Sequence, residues 1–282
     1  MPGGVGGGFR EESPYPICPR RVRFDRKKRG GSGAAAWQGP GMTETNDTKV
    51  TARIAALDWT VIAAALDCEG WAVLPRLLSA AECYDTAALY PLEELFRSHV
   101  EMARHGFGRG EYRYFSYPLP PLVAGLRGAL YARLAPVANR WHERIGRVER
   151  FPSDHANYLA QCHAAGQVRP TPLLLQYGPG DYNCLHRDLY GAEAFPLQVA
   201  VLLSAPGADF TGGEFVLTEQ RPRMQSRAAV VPLGKGDAVI FAVHERPVAG
   251  SRGDYRVAMR HGVSEVRSGQ RHTLGIIFHD AA

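Results

Sequence analysis

Beginning at Thr51, apolar side chains recur at three- and four-residue intervals (Ile54, Leu57, Val61, Ala64, Ala65), a period that predicts amphipathic helices. Asp58 and Thr60 read as caps of the second of these. Gly70–Leu74 then reads as a short strand. Ser79 followed by Glu82 matches a capping box, which predicts a helix from about Ala80 through Leu89. Further helical patterns run over Pro121–Trp141 and His155–Ala164. From Thr171 onward the texture changes to short apolar segments separated by turn residues: Pro172–Tyr177, Tyr182–Asp188, Leu197–Ser204, Gly213–Thr218, Ala228–Pro232, Ala238–Val243, Tyr255–His261 and Thr273–Phe278. Short strands at this spacing predict a β sandwich or jelly-roll barrel, with the helical front half packed on its outside. The expected class is therefore α+β, mainly β.

Between the two textures lies His105–Pro118, a Gly-rich stretch in which Phe107, Tyr112, Tyr114, Phe115 and Tyr117 interleave with arginines. As a loop over Tyr112–Tyr117 it would stack on a flat substrate such as a base. As a strand it would pack an aromatic face on the core. The expected organisation is a disordered basic tail over 1–41, a helical part with this aromatic loop over 42–170, and a jelly-roll core over 171–282.

Charge changes the picture only at the N-terminus. Residues 1–41 carry eight Lys/Arg and three acids, a surplus of five that equals the +5 of the whole chain, so the remainder is balanced. Bulk charge on the folded part therefore gives no support for nucleic-acid binding, although a local patch remains compatible with it. Cys18–Gly31 reads as a basic nucleic-acid-binding arm or as extra sequence ahead of a start at Met42. No run of about 18 apolar residues occurs, and the first residues lack the apolar centre of a secretory signal. The five cysteines are scattered without CxxC spacing, which suits a reducing compartment; the expected location is cytoplasmic.

The candidate chemistry centres on Leu173–Asp188, which ends in His186-Arg187-Asp188. Residues i and i+2 of a strand share a face, so His186 and Asp188 would project together while Arg187 turns away. An imidazole and a carboxylate held so make two thirds of the 2-His-1-carboxylate triad of non-heme Fe(II) oxygenases. The same residues with Leu189 spell the start of a kinase catalytic loop, but Glu193 and Thr211 stand where that family has Asn and Gly, and no Gly-rich loop precedes. The downstream candidates for a third ligand are His244, His261, His272 and His279. His261 ends an apolar strand, whereas His244 precedes Glu245-Arg246-Pro247, which reads as a loop. Arg271 opens the last strand with its side chain directed inward. A buried guanidinium needs an anion, and its fork suits a carboxylate.

His186-x-Asp188, His261 and Arg271 ten residues beyond, on one β-rich half, resemble the Fe(II)/2-oxoglutarate-dependent dioxygenase superfamily over about residues 171–280. That resemblance implies a double-stranded β-helix core. It also implies Fe(II) on His186, Asp188 and His261, with 2-oxoglutarate and O2 as co-substrates and Arg271 anchoring the dicarboxylate. Gly212–Phe215, Lys235–Phe241 and the ten-residue gap are similar to the prolyl-hydroxylase branch. Tyr177-Gly178-Pro179-Gly180, nine residues before His186, and His261-Gly262-Val263 resemble the AlkB branch, which repairs alkylated bases. Tyr177 falls on that branch's co-substrate-contacting tyrosine, and Asn183 is a further candidate contact. A second arginine that the AlkB branch carries later on the strand is missing, and His279 ends the strand instead. Taken whole, the chain resembles uncharacterised bacterial oxygenases described as acting on damaged DNA. The expected function is hydroxylation of a C–H bond, as in oxidative demethylation of alkylated DNA or RNA bases. The alternatives are hydroxylation of a protein side chain or small metabolite, and a non-catalytic jelly roll with a structural metal.

Overall fold

The computed structural model describes residues 43–188, 191–251 and 253–282. The basic segment 1–41 lies outside the described residues. Helices α1 (Thr43–Ala55) and α2 (Trp59–Glu69) lead into β1 (Trp71–Leu74) and α3 (Ala80–Ala87). Next come β2 (Phe96–Glu101), β3 (Gly108–Arg109), β4 (Glu111–Phe115), α4 (Pro121–Arg144) and α5 (His155–Ala164). The second half is almost all strand: β5 (Leu173–Tyr177), β6 (Tyr182–His186), β7 (Leu197–Leu202), β8 (Phe210–Gly212), β9 (Phe215–Gln220) and β10 (Arg227–Val231), then β11 (Ala238–Ala242), β12 (Glu245–Gly250), β13 (Gly253–Val263), β14 (Val266–Gly269) and β15 (Arg271–Ile276).

Two antiparallel sheets face each other in a jelly roll. The large one has the order β1-β11-β7-β15-β5-β4-β2; the small one runs β10-β9-β13-β6-β3, with β12 on β13. Side chains of both meet between them: Ala200, Val239 and Phe241 from the large sheet touch Phe215, Leu217 and Val231 from the small one. The large sheet's other face packs on α1, α2 and α4 through Ile54, Leu66, Leu130, Tyr131, Leu197, Val199, Ile240 and Leu274. Strands β7 and β11, covered on both faces, are buried at every position, while β9 alternates buried and half-exposed residues. Two caps follow the local rules of their residue types. The Asp58 carboxylate accepts from the Thr60 and Val61 amides, and Ser79 with Glu82 forms a complete capping box.

Two expectations are corrected. The aromatic stretch is not a loop: Glu111–Phe115 forms β4, paired with β2 and β5, so the large sheet takes three strands from before Pro170. Glu245-Arg246-Pro247 is likewise not a loop but the start of β12. Its buried Arg246 hid it, because the charge is matched inside by Glu219 at 2.5 Å. Its proline is tolerated because β12 pairs, among the described residues, with β13 alone. The chain end is tied down by Arg127 of α4, which donates to the carbonyls of Ile277, Phe278 and His279 and to Asp280 Oδ1 at 2.7 Å. That clamp fixes β15, whose first residue is Arg271.

Candidate metal centre and co-substrate pocket

His186 and His261 lie directly opposite each other on β6 and β13. Two residues further along β13, Val263 faces Asn183, which is three residues back along β6. The β6 strand thus holds one extra residue, a bulge at Cys184-Leu185. Bulges re-aim side chains, and this one directs both Asn183 and His186 inward while Cys184 and Leu185 are exposed. An inward Cys184, compatible with simple alternation, is therefore not what forms. Nor does strand alternation deliver Asp188, since β6 ends at His186 and Asp188 lies two residues past it.

The three side chains nevertheless converge. Asp188 Oδ1 is 3.4 Å from His186 Nε2 and its Oδ2 is 3.3 Å from His261 Nε2. One donor atom from each residue lies within 4.8 Å of the others, the one such three-residue cluster among the described residues. The imidazole centroids are 4.2 Å apart. His186 Nδ1 lies 2.7 Å from the Cys184 carbonyl. A proton on Nδ1 for that bond leaves the Nε2 lone pair facing the cluster, the usual second contact of a metal-binding histidine. Burial first, then the neighbouring His261, holds His186 below its ordinary pKa against the pull of Asp188, which keeps the ring neutral as a ligand must be. Phe241 and Phe215 wall the His261 ring at centroid distances of 4.6 and 6.1 Å. Two neutral imidazoles and one carboxylate on one side of an open space suit Fe(II) with free coordination positions. His244 and His272 take no part: His272 bonds Gln176 at 3.2 Å on the other face of β15.

Arg271 pairs with Tyr177 across β15 and β5 and is 1% exposed. Its Nη1 donates to Thr273 Oγ1 at 2.6 Å, its Nε has no partner, and no carboxylate forms an ion pair with it among the described residues. The guanidinium carbon sits 5.4 Å from the Tyr177 ring and 5.9 Å from that of Phe210. Gly213, at φ +62°, lets the strand pass so close that a Cβ there would lie 2.8 Å from Arg271 Cδ. The Tyr177 hydroxyl is buried beside Asn183 without a well-formed hydrogen bond, and burial pushes its pKa up to about 12. A buried cation, an orphaned guanidinium N–H and an orphaned phenol together fit an anionic group brought in from outside. Thr273 escaped the sequence reading, although its place two residues after Arg271 on the same strand face was the available signal.

A family model described as "Oxygenase, catalysing oxidative methylation of damaged DNA" matches residues 110–281, more than half of the chain. A Mycobacterium tuberculosis protein described as uncharacterized, from strains CDC 1551 and H37Rv, is 49% identical over 168 residues, covering 60% of this chain and 72% of its own. Among solved structures, a prolyl hydroxylase from Trichoplax adhaerens, in complex with a hypoxia inducible factor peptide fragment, shares the fold. That match has a TM-score of 0.54 at 12% identity, over 85% of this chain and 96% of the other. A 2OG-Fe(II) oxygenase family protein from Burkholderia pseudomallei matches at TM-score 0.47 and 18% identity, over 80% and 94%. The jelly roll, the His-Asp-His cluster and the family match agree: the chain belongs to this oxygenase family, within the 2-oxoglutarate- and Fe(II)-dependent superfamily that works with Fe(II), 2-oxoglutarate and O2.

Proposed function

We propose that the protein oxidises a C–H bond of an alkylated base in damaged DNA. In this reading His186, Asp188 and His261 hold Fe(II), and Arg271, with Thr273 and Tyr177, receives the distal carboxylate of 2-oxoglutarate. The observation that carries the reading is the buried, carboxylate-free Arg271 in the same barrel as the three-donor cluster. A structural metal would need no such anion anchor, which argues against a non-catalytic module. Bound there, the metal with 2-oxoglutarate and O2 supplies C–H hydroxylation, releasing succinate and CO2. On an N-methyl group the hydroxymethyl product breaks down to formaldehyde and the free base nitrogen.

The family description favours damaged DNA as substrate, and two features of the chain support it. Tyr112 and Tyr114 share the inward face of β4, edge to face at 5.4 Å, with Arg97 packed over Tyr114 at 4.5 Å. Tyr112 belongs to the cluster around Tyr177, and after burial and its Tyr114 contact the Asp188 charge acts on its phenol. A flat base extruded from a duplex or presented on a single strand would stack here. The second feature is a groove of about 280 Å³ lined by Arg221, Arg223, Arg256 and His244. Arg187, between two of the ligand residues, acts electrostatically on His244, which lines the groove. Arg223 at its lip holds a left-handed backbone, φ +63°. The groove would follow the phosphate backbone. The ten-residue gap from His261 to Arg271 and the balanced charge of residues 42–282 favour instead a protein side chain, the second reading.

The deciding assay measures succinate and formaldehyde from the Fe(II) enzyme offered N-methylated oligonucleotides or proline-containing peptides. The reading expects release stimulated by the methylated strand. It also expects Tyr112→Ala to lose that stimulation while keeping the slow, substrate-free consumption of 2-oxoglutarate. Stimulation by peptides and by no oligonucleotide would transfer the assignment to the second reading.

A further inference from the structure

Strand β7 separates its side chains cleanly. Leu197, Val199 and Val201 enter the helix-side core, while Ala200 and Leu202 face the small sheet. Gln198 shares their parity and therefore faces the barrel interior. It is 4% exposed, and its Nε2 has no hydrogen-bond partner among the described residues. Directly across the ladder stands Phe241, whose ring lies 4.6 Å from that of His261. One side chain thus separates the Gln198 carboxamide from the candidate metal ligands. A buried amide donor left unpaired is destabilising, and an apolar residue would serve this strand better unless something else brings the acceptor.

The position along β7 indicates which acceptor. Leu202, opposite Thr273, marks the Arg271 end of the chamber. Gln198 lies four residues away, about 13 Å along a strand, at the level of His261. We propose that Gln198 donates its Nε2–H to the carboxylate at the oxo-acid end of 2-oxoglutarate. Protein donors then hold the co-substrate at both ends, Arg271 at the distal carboxylate and Gln198 at the one beside the metal. The inference rests on the function proposed above and names a co-substrate-positioning residue within it.

The test compares Gln198→Leu with Arg271→Ala in anaerobic Fe(II) titrations that follow the visible metal-to-ligand absorption. The titrants are 2-oxoglutarate and pyruvate, a 2-oxo acid without the distal carboxylate. Gln198→Leu is expected to weaken both about tenfold or more and to shift the absorption maximum, because the group at the metal loses a donor. Arg271→Ala is expected to weaken 2-oxoglutarate and leave pyruvate unchanged. Without ligand, Gln198→Leu should melt at the same temperature as the parent or higher, since it removes an unsatisfied donor. Parent-like affinities with an unshifted absorption overturn the proposal. So does a loss confined to 2-oxoglutarate, or a lowered melting temperature in the free protein, which would mark a structural amide. A parent that develops no absorption with either acid refutes the proposed function itself, and this proposal with it.

Discussion

Replacing Arg271 by methionine separates a co-substrate anchor from a structural arginine, because the two predict opposite signs. In the free protein the guanidinium is 1% exposed and keeps one hydrogen bond, to Thr273, and two ring contacts, to Tyr177 and Phe210. Burying an unpaired ion costs several kcal/mol even after relaxation. The hydrogen bond returns about 1 kcal/mol and the ring contacts about as much again. Methionine fills a similar length without charge, so Arg271→Met should gain roughly 1–2 kcal/mol in the free protein. For a domain of this size that is a melting rise of about 2–8 °C. Saturating 2-oxoglutarate reverses the order. At a hundred times Kd it adds about 2.7 kcal/mol to the parent, or about 5–10 °C, and nothing to the variant. Anaerobic thermal melts with Fe(II), with and without 2-oxoglutarate, read both signs. An Arg271→Met protein that melts several degrees lower without ligand would refute the reasoning, as would equal stabilisation of both proteins by 2-oxoglutarate.

Gly213→Ala should lower 2-oxoglutarate affinity at least tenfold without touching a ligand, because its Cβ would press on Arg271 Cδ at 2.8 Å from a left-handed backbone; isothermal titration measures it. Reversing charge in the groove with Arg223→Glu or Arg256→Glu should weaken oligonucleotide binding and lower the slope of log K against log salt by about 1 each, with Fe(II) and 2-oxoglutarate binding intact. Acid should destabilise the fold in two stages. Burial first, then Arg127, pushes His155 down to about 4, so the unfolded chain takes up the proton first and stability falls as pH drops from about 6.5 toward 4. Burial alone would raise Asp280, but Arg127 and its other partners hold it below the ordinary carboxylate range, so its contribution, full above about 4, is lost below that. Denaturant titrations across this range should show His155→Gln flattening only the upper stage.

What was legible in the sequence was whatever the chain repeats. The short apolar segments between turns after Thr171 matched β5, β6, β7, β9, β10, β11, β13 and β15 to within a few residues, because apolar side chains of each meet the core on one face or, in β7 and β11, on both. Strands whose burial is made by polar partners were invisible. In β12 the inward Arg246 depends on Glu219 from another strand, and no local pattern announces that match. β4 was ambiguous because its aromatic residues face both ways, Phe115 to the helix-side core and Tyr112 to the barrel. His186, His261 and Arg271 could be chosen by spacing. Their alignment could not, since it depends on the extra residue in β6, and nothing in Cys184-Leu185 marks a bulge.

Among the described residues three arginines are 1% exposed, and they act as controls for one another. Arg127 meets Asp280 at 2.7 Å and three backbone carbonyls. Arg246 meets Glu219 at 2.5 Å and the Asp67 carbonyl at 3.0 Å. Both close a seam of the fold, and removing either takes the nearest cation from a buried carboxylate, leaving Asp280 to Tyr117 and His163 and Glu219 to Arg221, which destabilises the fold. Arg271 is as deeply buried, yet among the described residues a threonine hydroxyl is its one hydrogen-bond partner. The fold therefore knows how to neutralise a buried guanidinium and leaves this one open. Burial and residue type being equal, the difference lies in where the anion comes from. For Arg127 and Arg246 it is part of the chain; for Arg271, in the proposed function, it arrives with the ligand. Methionine at each position in turn should lower stability at the first two and raise it at the third.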